Sequence, residues 1–411
     1  MPGIRHCRFG LGLSGASDPM KLDPGLHLSY CTNVHRGEDW AETFAALNTH
    51  TIAVRDRLSR GRPFGIGLRL SARAARELSD SRTLLAFQRW LERNHCYVFT
   101  INGYPFGRFH GGRVKEQVFR PDWTQPERLD YTNLLFDLLV KLAPAGLEIS
   151  VSTLPGAFKA FVPDSAQSAA IRDNLWRCVE HIAKLSERSG RVMHLGLEPE
   201  PLGLFENTEE TVKFFEELRS EHPNDSRLDA HLGVNYDTCH FAIQFEEPAD
   251  ALRRFRENNI RLSKIHLSSA LKVQSGRETC RALSAFAEDV YLHQVISRSA
   301  EGVLRRYPDL PLALEAAEKA GWPAEEWRVH FHVPLHSPST AWFDTTSAHI
   351  DGMFKALAGG PLLCSHFEIE TYTWEVLPPE LRNDDVVTQL VREFEWCVDQ
   401  MTRHGFASPP A

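Results

Sequence analysis

Eight cysteines are scattered through the 411 residues, and no two form a CxxC pair. Zinc ribbons and disulfide frameworks need closely grouped thiols. Isolated residues at Cys7, Cys31, Cys96, Cys178, Cys239, Cys280, Cys364 and Cys397 therefore point to a reduced, cytoplasmic protein. No apolar window reaches the roughly 18 residues of a spanning helix, so no membrane span is expected. The opening stretch MPGIRHCRFGLGLSGASDPM lacks the continuous apolar core of a signal peptide. Blocks of positive charge are missing too. Lys and Arg number 46 against 54 Asp and Glu, a net charge of -8, and a phosphate backbone calls for the opposite balance. Nucleic acid is not an expected partner. No dinucleotide-type glycine fingerprint follows any strand, no short internal repeat recurs, and FASPPA at the end is the one biased tract.

What is present describes a soluble protein with a large core, since 42% of residues are hydrophobic and 24% charged. Short β-rich runs alternate with longer amphipathic ones. The strands are LHLSYCT (26–32), FGIGLRL (64–70), CYVFTIN (96–102), LEISVST (147–153), VMHLGLE (192–198), LGVNYD (232–237), IRLSKIHL (260–267) and LCSHFEIE (363–370). Helix-period segments between them, such as SRTLLAFQRWLERN and TEETVKFFEELRSE, open on Ser, Thr or Asp caps. Eight strand–helix units predict an α/β fold, the (β/α)8 TIM barrel, with a parallel sheet closed on itself. The expected organisation is one elaborated domain over 1–411. Its insertions follow strand 3 (about 103–125) and separate strands 7 and 8 (about 271–362). Within the second, WRVHFHVPLH (327–336) reads as a strand-like arm, with His330 and His332 on one face.

Functional side chains of such barrels stand at the C-terminal strand ends. Strand 5 ends in LGLEPEP, giving Glu198 and Glu200; strand 6 in NYDTCH, giving Asp237 and His240; strand 7 in SKIHLSS, giving His266; strand 8 in HFEIETYTW, giving Glu368 and Glu370. Asp237 alone reads equally well as a helix cap. Four neighbouring strand ends with such groups read differently, because gathering carboxylates without a cation is costly. The set Glu198, Asp237, His266 and Glu370 offers three carboxylates and an imidazole. It suits a divalent metal ion: Mn²⁺, Zn²⁺, Mg²⁺, Co²⁺ or Fe²⁺. Glu200 remains open as an alternative to Glu198, and Glu368 to Glu370.

The order LEPEP, YDTCH, KIHLSSA and EIETYTW resembles the sugar isomerase/epimerase superfamily of xylose isomerase-like barrels. The wider phrases LSYCTNVHRGEDW, FTINGYPFGRFHGGRVKEQVFRPDW and FHVPLH, with ETYTWEVLP, are similar to the EboE-type metabolite-traffic proteins. The resemblance implies metal-dependent proton transfer beside a carbonyl, on a small sugar-like or secondary-metabolite substrate. Glu198 and Glu370 would be the acid–base pair on opposite sides of the reacting carbon, and His240 would hold a substrate oxygen or support the site. It also implies a setting in bacterial secondary-metabolite or prenyl-lipid pathways. Two rival functions stay open. One is a non-catalytic metabolite-binding or traffic protein. The other follows from DTCH, which also resembles the endonuclease IV signature and implies a multinuclear zinc hydrolase; its added ligands would come from His35, His110, His240, His330, His332 or His336.

Other groups carry two readings each. Arg113 and Lys115 in FHGGRVKE would contact an anionic substrate group, as Glu200 would a polar one, or would be solvated charges. Tyr104, Phe106, Phe109 and Trp123 would line a cavity or pack the long loop. Cys239 is expected as a small filler.

Overall fold

The computed structural model describes residues 22, 25–59, 61–162, 164–378, 382 and 384–408. The opening stretch 1–20, Cys7 and the last three residues of FASPPA lie outside them. Among the described residues thirteen strands occur: β1 (His27–Tyr30), β2 (Phe64–Arg69), β3 (Cys96–Asn102), β4 (Ile149–Thr153), β5 (Met193–Leu197), β6 (Leu232–Asp237), β7 (Arg261–Leu267), β8 (Leu271–Gln274), β9 (Val295–Arg298), β10 (Leu304–Tyr307), β11 (Glu326–Val329), β12 (Asp344–Thr345) and β13 (His366–Ile369).

Strands β1 to β7 and β13 form one parallel sheet in the order β1-β13-β7-β6-β5-β4-β3-β2. A parallel bridge between Cys31 and Gly67 joins its two ends, and the eight strands make a (β/α)8 TIM barrel. These are the eight runs read from the sequence. Strands covered on both faces are apolar almost throughout, and every residue of β2 and β6 is buried. The helices between them start on side-chain caps that satisfy free backbone N–H groups. Asp39 accepts from the Glu42 amide, Asp164 from that of Gln167 and Asn207 from that of Glu210.

Between β7 and β13 the chain builds a second, antiparallel sheet, β10-β9-β11-β8-β12. Its apolar cluster includes Leu271, Val295, Trp327, Phe331 and Phe343. The helix Ser347–Ala358 falls inside the expected 271–362 insertion but packs differently. Its Ile350, Met353 and Phe354 join the barrel's own cluster, so the added sheet ends at Thr345. The strand-like reading of 327–336 also needs correction, because the ladder stops at Val329. Beyond it the amide of His330 turns to the carbonyl of Gln294, and that of Val333 to Ser269 on the barrel. The chain is thus pulled out of the sheet and over the barrel mouth. The loop after β3 meets the same insertion there, since the amides of Val114 and Lys115 both donate to the Val290 carbonyl.

Gly67 is required by a close approach. A Cβ at this position would lie 1.8 Å from Oε1 of Glu368 and 2.7 Å from the Tyr30 carbonyl oxygen. Gly67→Ala is therefore expected to cost about 1–3 kcal/mol by overpacking. Gly112→Ala, with nothing within 4 Å of the new carbon, should stay within about 0.5 kcal/mol of the parent. Chemical denaturation of the two variants checks this; equal midpoints would contradict it.

Candidate metal centre

Alternation along β6 and β7 decides what enters the barrel. Asn235 and Asp237 point inward, whereas Tyr236 between them turns out, its hydroxyl hydrogen-bonded with Nε2 of His349, 2.8 Å away. On β7, Lys264 and His266 are the inward pair. The register places Asp237 opposite His266 and His266 opposite Glu368, in one row across three strands. Glu198 directly follows β5 and Glu370 directly follows β13.

These elements bring ligand atoms of Glu198, Asp237, His266 and Glu370 within 4.8 Å of one another, all four residues buried. Nδ1 of His266 is the hub. It lies 3.0 Å from Glu198 Oε1, 3.1 Å from Glu370 Oε2 and 3.6 Å from Asp237 Oδ2. The two roles open for Asp237 fall to different oxygens. Its Oδ1 accepts from the amides of Cys239 and His240 and from the Ser268 hydroxyl, capping the helix Thr238–Ile243. Its Oδ2 has no hydrogen-bond partner, and neither has Oε2 of Glu198. Buried carboxylate oxygens without partners are expensive. Asn33 and Asn102 both donate to Oε1 of Glu370, at 2.9 and 3.1 Å, which leaves Oε2 facing the hub.

Glu368 sits on the other side of the imidazole. It accepts from Nε2 of His266 at 2.8 Å and pairs with Lys264 at 2.5 Å, all three side chains fully buried. Burial pushes Glu368 up, but Lys264 and His266 outweigh it and hold the carboxyl at about 2. Burial alone would lower His266; Glu370 and Glu198 reverse this and keep the imidazole well above its usual value. Burial likewise works to raise Asp237, and His240, His332 and His266 hold it well below the ordinary range. Glu200 goes the other way: burial, reinforced by Glu198, Asp237 and Glu370, drives it well above. The centre thus contains more negative charge than its single lysine and single hub histidine offset. At about 4 Å and an effective dielectric near 20, each pair of like charges costs about 4 kcal/mol.

A second group of ligand atoms adjoins the first. Asp237, His240 and His332 approach within 4.8 Å, as do Glu200, His240 and His330. His240 donates Nδ1–H to the Pro199 carbonyl and faces Nε2 of His330 across 3.1 Å. His332 donates Nδ1–H to the Glu370 carbonyl and leaves its fully buried Nε2 without a partner. Burial, with His332 adding to it, lowers His240 to about 4, and burial together with His240 holds His330 well below its usual value. In both, burial favours the neutral imidazole, the form that ligates. Cys239 belongs to a further group with His330 and His332, and burial lifts its thiol well above the usual range.

Other sequence expectations are not met. His35 and His110 do not reach the centre. His35 accepts from or donates to the Tyr30 hydroxyl at 2.9 Å and stacks on His50, with ring centroids 4.4 Å apart. His110 spends both nitrogens locally, one on the Asn33 carbonyl and one on the Tyr291 hydroxyl. His336 is in none of the ligand groups found among the described residues. Arg113 is exposed, and Lys115 is paired with Asp309 at 2.5 Å. Phe106 packs on Tyr131 and Trp123 donates to Thr153, so both hold the loop down, whereas Tyr104 and Phe109 line a cavity above the centre. Lys264, Asn33, Asn102 and Gln294 were not singled out by sequence. The two asparagines sit at the ends of β1 and β3, where the strand-end rule would have found them had it been extended to amides. Gln294 directly precedes β9 of the added sheet, where no periodicity signals a place at the mouth.

No protein-family model matches the sequence, and no curated protein matches it either. Solved structures are similar in fold. A xylose isomerase domain protein from Planctomyces limnophilus is 14% identical over 92% of this chain and 97% of its own, with a TM-score of 0.48. The IOLI protein, described with a bound zinc atom, is 11% identical over 92% and 99%, TM-score 0.48. A D-tagatose 3-epimerase-like protein is 11% identical over 92% and 98%, TM-score 0.49. No helix among the described residues is long and apolar enough to cross a membrane.

Charge crowding predicts a stability effect. In chelator-treated protein at neutral pH, Glu198→Gln removes one carboxylate from the cluster. It should unfold at the same free energy as the parent or up to about 2 kcal/mol higher. Denaturant titration measures this, and a loss of more than about 2 kcal/mol would show that the carboxylate is a net structural asset.

Proposed function

We propose that this chain is a divalent-metal-dependent barrel enzyme of the isomerase/epimerase type, which moves a proton beside the carbonyl of a small metabolite. The convergence of Glu198, Asp237, His266 and Glu370 within 4.8 Å carries the reading, together with the unpartnered Asp237 Oδ2 and Glu198 Oε2. The donor set fits a cation that accepts mixed oxygen and nitrogen ligands. Glu198, Asp237, His266 and Glu370 would hold it, His266 through Nδ1 because Nε2 is committed to Glu368. Bound there, a divalent ion supplies Lewis-acid polarisation of a carbonyl oxygen.

The residues of the chain do the rest. Glu198 takes the proton from the carbon next to the carbonyl at its free Oε2. On the opposite face Glu370, whose Oε1 is fixed by Asn33 and Asn102, returns a proton, so it enters each turnover protonated and leaves it as the carboxylate while Glu198 does the reverse. His240 and Tyr104 face the same cavity and orient substrate oxygens, and the inserted segments that roof the mouth limit access of water. A metabolite biosynthesis or traffic context of the EboE kind is part of this reading, on the strength of the sequence phrases.

A second reading is favoured by the adjoining group. Asp237, His240 and His332, with the free Nε2 of His332, offer a second cation position. Two ions held by these adjoining ligand groups would suit hydrolysis by an activated water, as in the endonuclease IV type.

Elemental analysis of protein purified without chelators separates the two. About one divalent ion per chain is expected for proton transfer and about two for hydrolysis; none would contradict both. Asp237→Asn keeps an acceptor for the helix cap while removing the charge, so it should lose at least about tenfold in metal affinity with a small change in stability. Asp237→Ala should lose both metal and about 1 kcal/mol of capping. Full metal retention in Asp237→Asn would show that this residue only caps. Incubation with keto and hydroxy compounds in deuterated water should label the carbon beside the carbonyl, and absence of label across a broad panel would favour a binding protein over an enzyme.

A further inference from the structure

One buried carboxylate outside the metal centre has no part in the reading above. Glu393 stands on the helix Val386–Arg403 and is fully buried. Its Oε2 has no hydrogen-bond partner. Burial pushes the carboxyl up to about 7, against the pull of Thr371, Leu335 and Gln389, and among the described residues no cation offsets it. Keeping such a group in a core costs free energy, and its other oxygen shows what the group does there. Oε1 accepts the hydroxyl of Thr371 at 2.6 Å and the amide of Leu335 at 3.1 Å.

The two donors belong to different parts of the chain. Thr371 directly follows Glu370, and Leu335 lies three residues after His332. Both are outside the ladders, because β13 ends at Ile369 and β11 at Val329. Single main-chain bonds tether each segment, the amide of Glu370 to Leu267 and that of Val333 to Ser269. Side chains then tie the segments to each other. His332 donates Nδ1–H to the Glu370 carbonyl at 2.7 Å, and the Thr373 hydroxyl donates to the His332 carbonyl. Glu393 anchors the pair to the barrel. Its neighbour Phe394 is fully buried, with the ring 6.2 Å from that of Tyr30 on β1 and 5.6 Å from that of Phe64 on β2. Oε1 is thus a fixed acceptor in the core from which both segments hang.

We infer that Glu393 is a positioning residue of the metal centre: one oxygen set in the core fixes the segment after β13 and the inserted arm together, and so places Glu370 and His332. Reach rather than charge does this. A proton taken up by the carboxyl goes to the free Oε2 and leaves Oε1 accepting both donors. The inference rests on the metal-binding reading for its purpose, whereas the hydrogen bonds stand without it.

Calorimetric titration of chelator-treated protein with Mn²⁺ tests it, on samples whose far-UV circular dichroism matches the parent. Glu393→Ala should weaken Mn²⁺ binding at least about tenfold, the scale on which groups that orient metal ligands act. Glu393→Asp keeps the charge but withdraws the acceptor by one methylene, and should weaken binding to a similar extent. Glu393→Gln keeps the reach without the charge and should stay within about threefold of the parent, well short of that scale. Phe394→Leu is the control: it costs core stability, leaves both hydrogen bonds in place and should keep the parent affinity. The visible absorption of bound Co²⁺ should shift in Glu393→Ala and Glu393→Asp and match the parent in the other two. Unchanged affinity in Glu393→Ala and Glu393→Asp would overturn the inference, as would an equal loss in Phe394→Leu or a Glu393→Gln as weak as Glu393→Ala. If Glu393→Ala does not fold, the other three variants decide. No Mn²⁺ uptake by the parent sinks the metal-binding reading itself, a result separate from equal uptake by parent and variants.

Discussion

Everything at the mouth of this barrel depends on a concentration of buried negative charge arranged around one imidazole. Glu198, Asp237 and Glu370 each present an oxygen to Nδ1 of His266, and Glu368 takes up Nε2 from behind. Lys264 is the fixed counter-charge, and it serves Glu368 rather than the three at the front. Left to itself the cluster holds His266 charged against the pull of burial. A cation in front would take over that role and leave the imidazole neutral with Nδ1 available, its orientation already set by Glu368. The arrangement is therefore poised between a proton and a metal ion, and orphaned oxygens on Asp237 and Glu198 tilt it to the metal.

The fold supplies this geometry through strand register. Because Asp237, His266 and Glu368 are cross-strand partners in one row, no loop has to be ordered to bring them together. Glu198 and Glu370, one residue past their strands, close over the row from either side. Gly67 contributes by omission, since any side chain there would occupy the space of the Glu368 carboxylate. The insertion between β7 and β13 adds what the barrel lacks, His330, His332, Tyr291 and Gln294, and the loop after β3 brings Tyr104 and Phe109 to the same space.

The barrel was legible in the sequence because its strands are short apolar runs set between capped amphipathic helices, and all eight recur at the expected places. The strand-end rule also selected the four residues whose ligand atoms converge, and placed His240 beside them. It could not separate Glu368 from Glu370. Both point inward, and the difference lies in Lys264, a lysine that reads in sequence as an ordinary strand residue. His35 and His110 show the opposite failure: residue type and position suggested ligands, yet nearby hydroxyl and carbonyl groups had already claimed their nitrogens. The added sheet was visible only as a gap too long for a connection. Its exit from the ladder after Val329, which brings His330 and His332 over the mouth, is fixed by tertiary hydrogen bonds to Gln294 and Ser269 that no local pattern encodes.

The central claim is that four strand-end groups share one cation, and anomalous diffraction from crystals soaked in Mn²⁺ tests it most directly. The account predicts a peak about 2.0–2.3 Å from carboxylate oxygens of Glu198, Asp237 and Glu370 and from Nδ1 of His266. A fully soaked crystal with no peak at these residues, or with manganese bound only elsewhere, would contradict it.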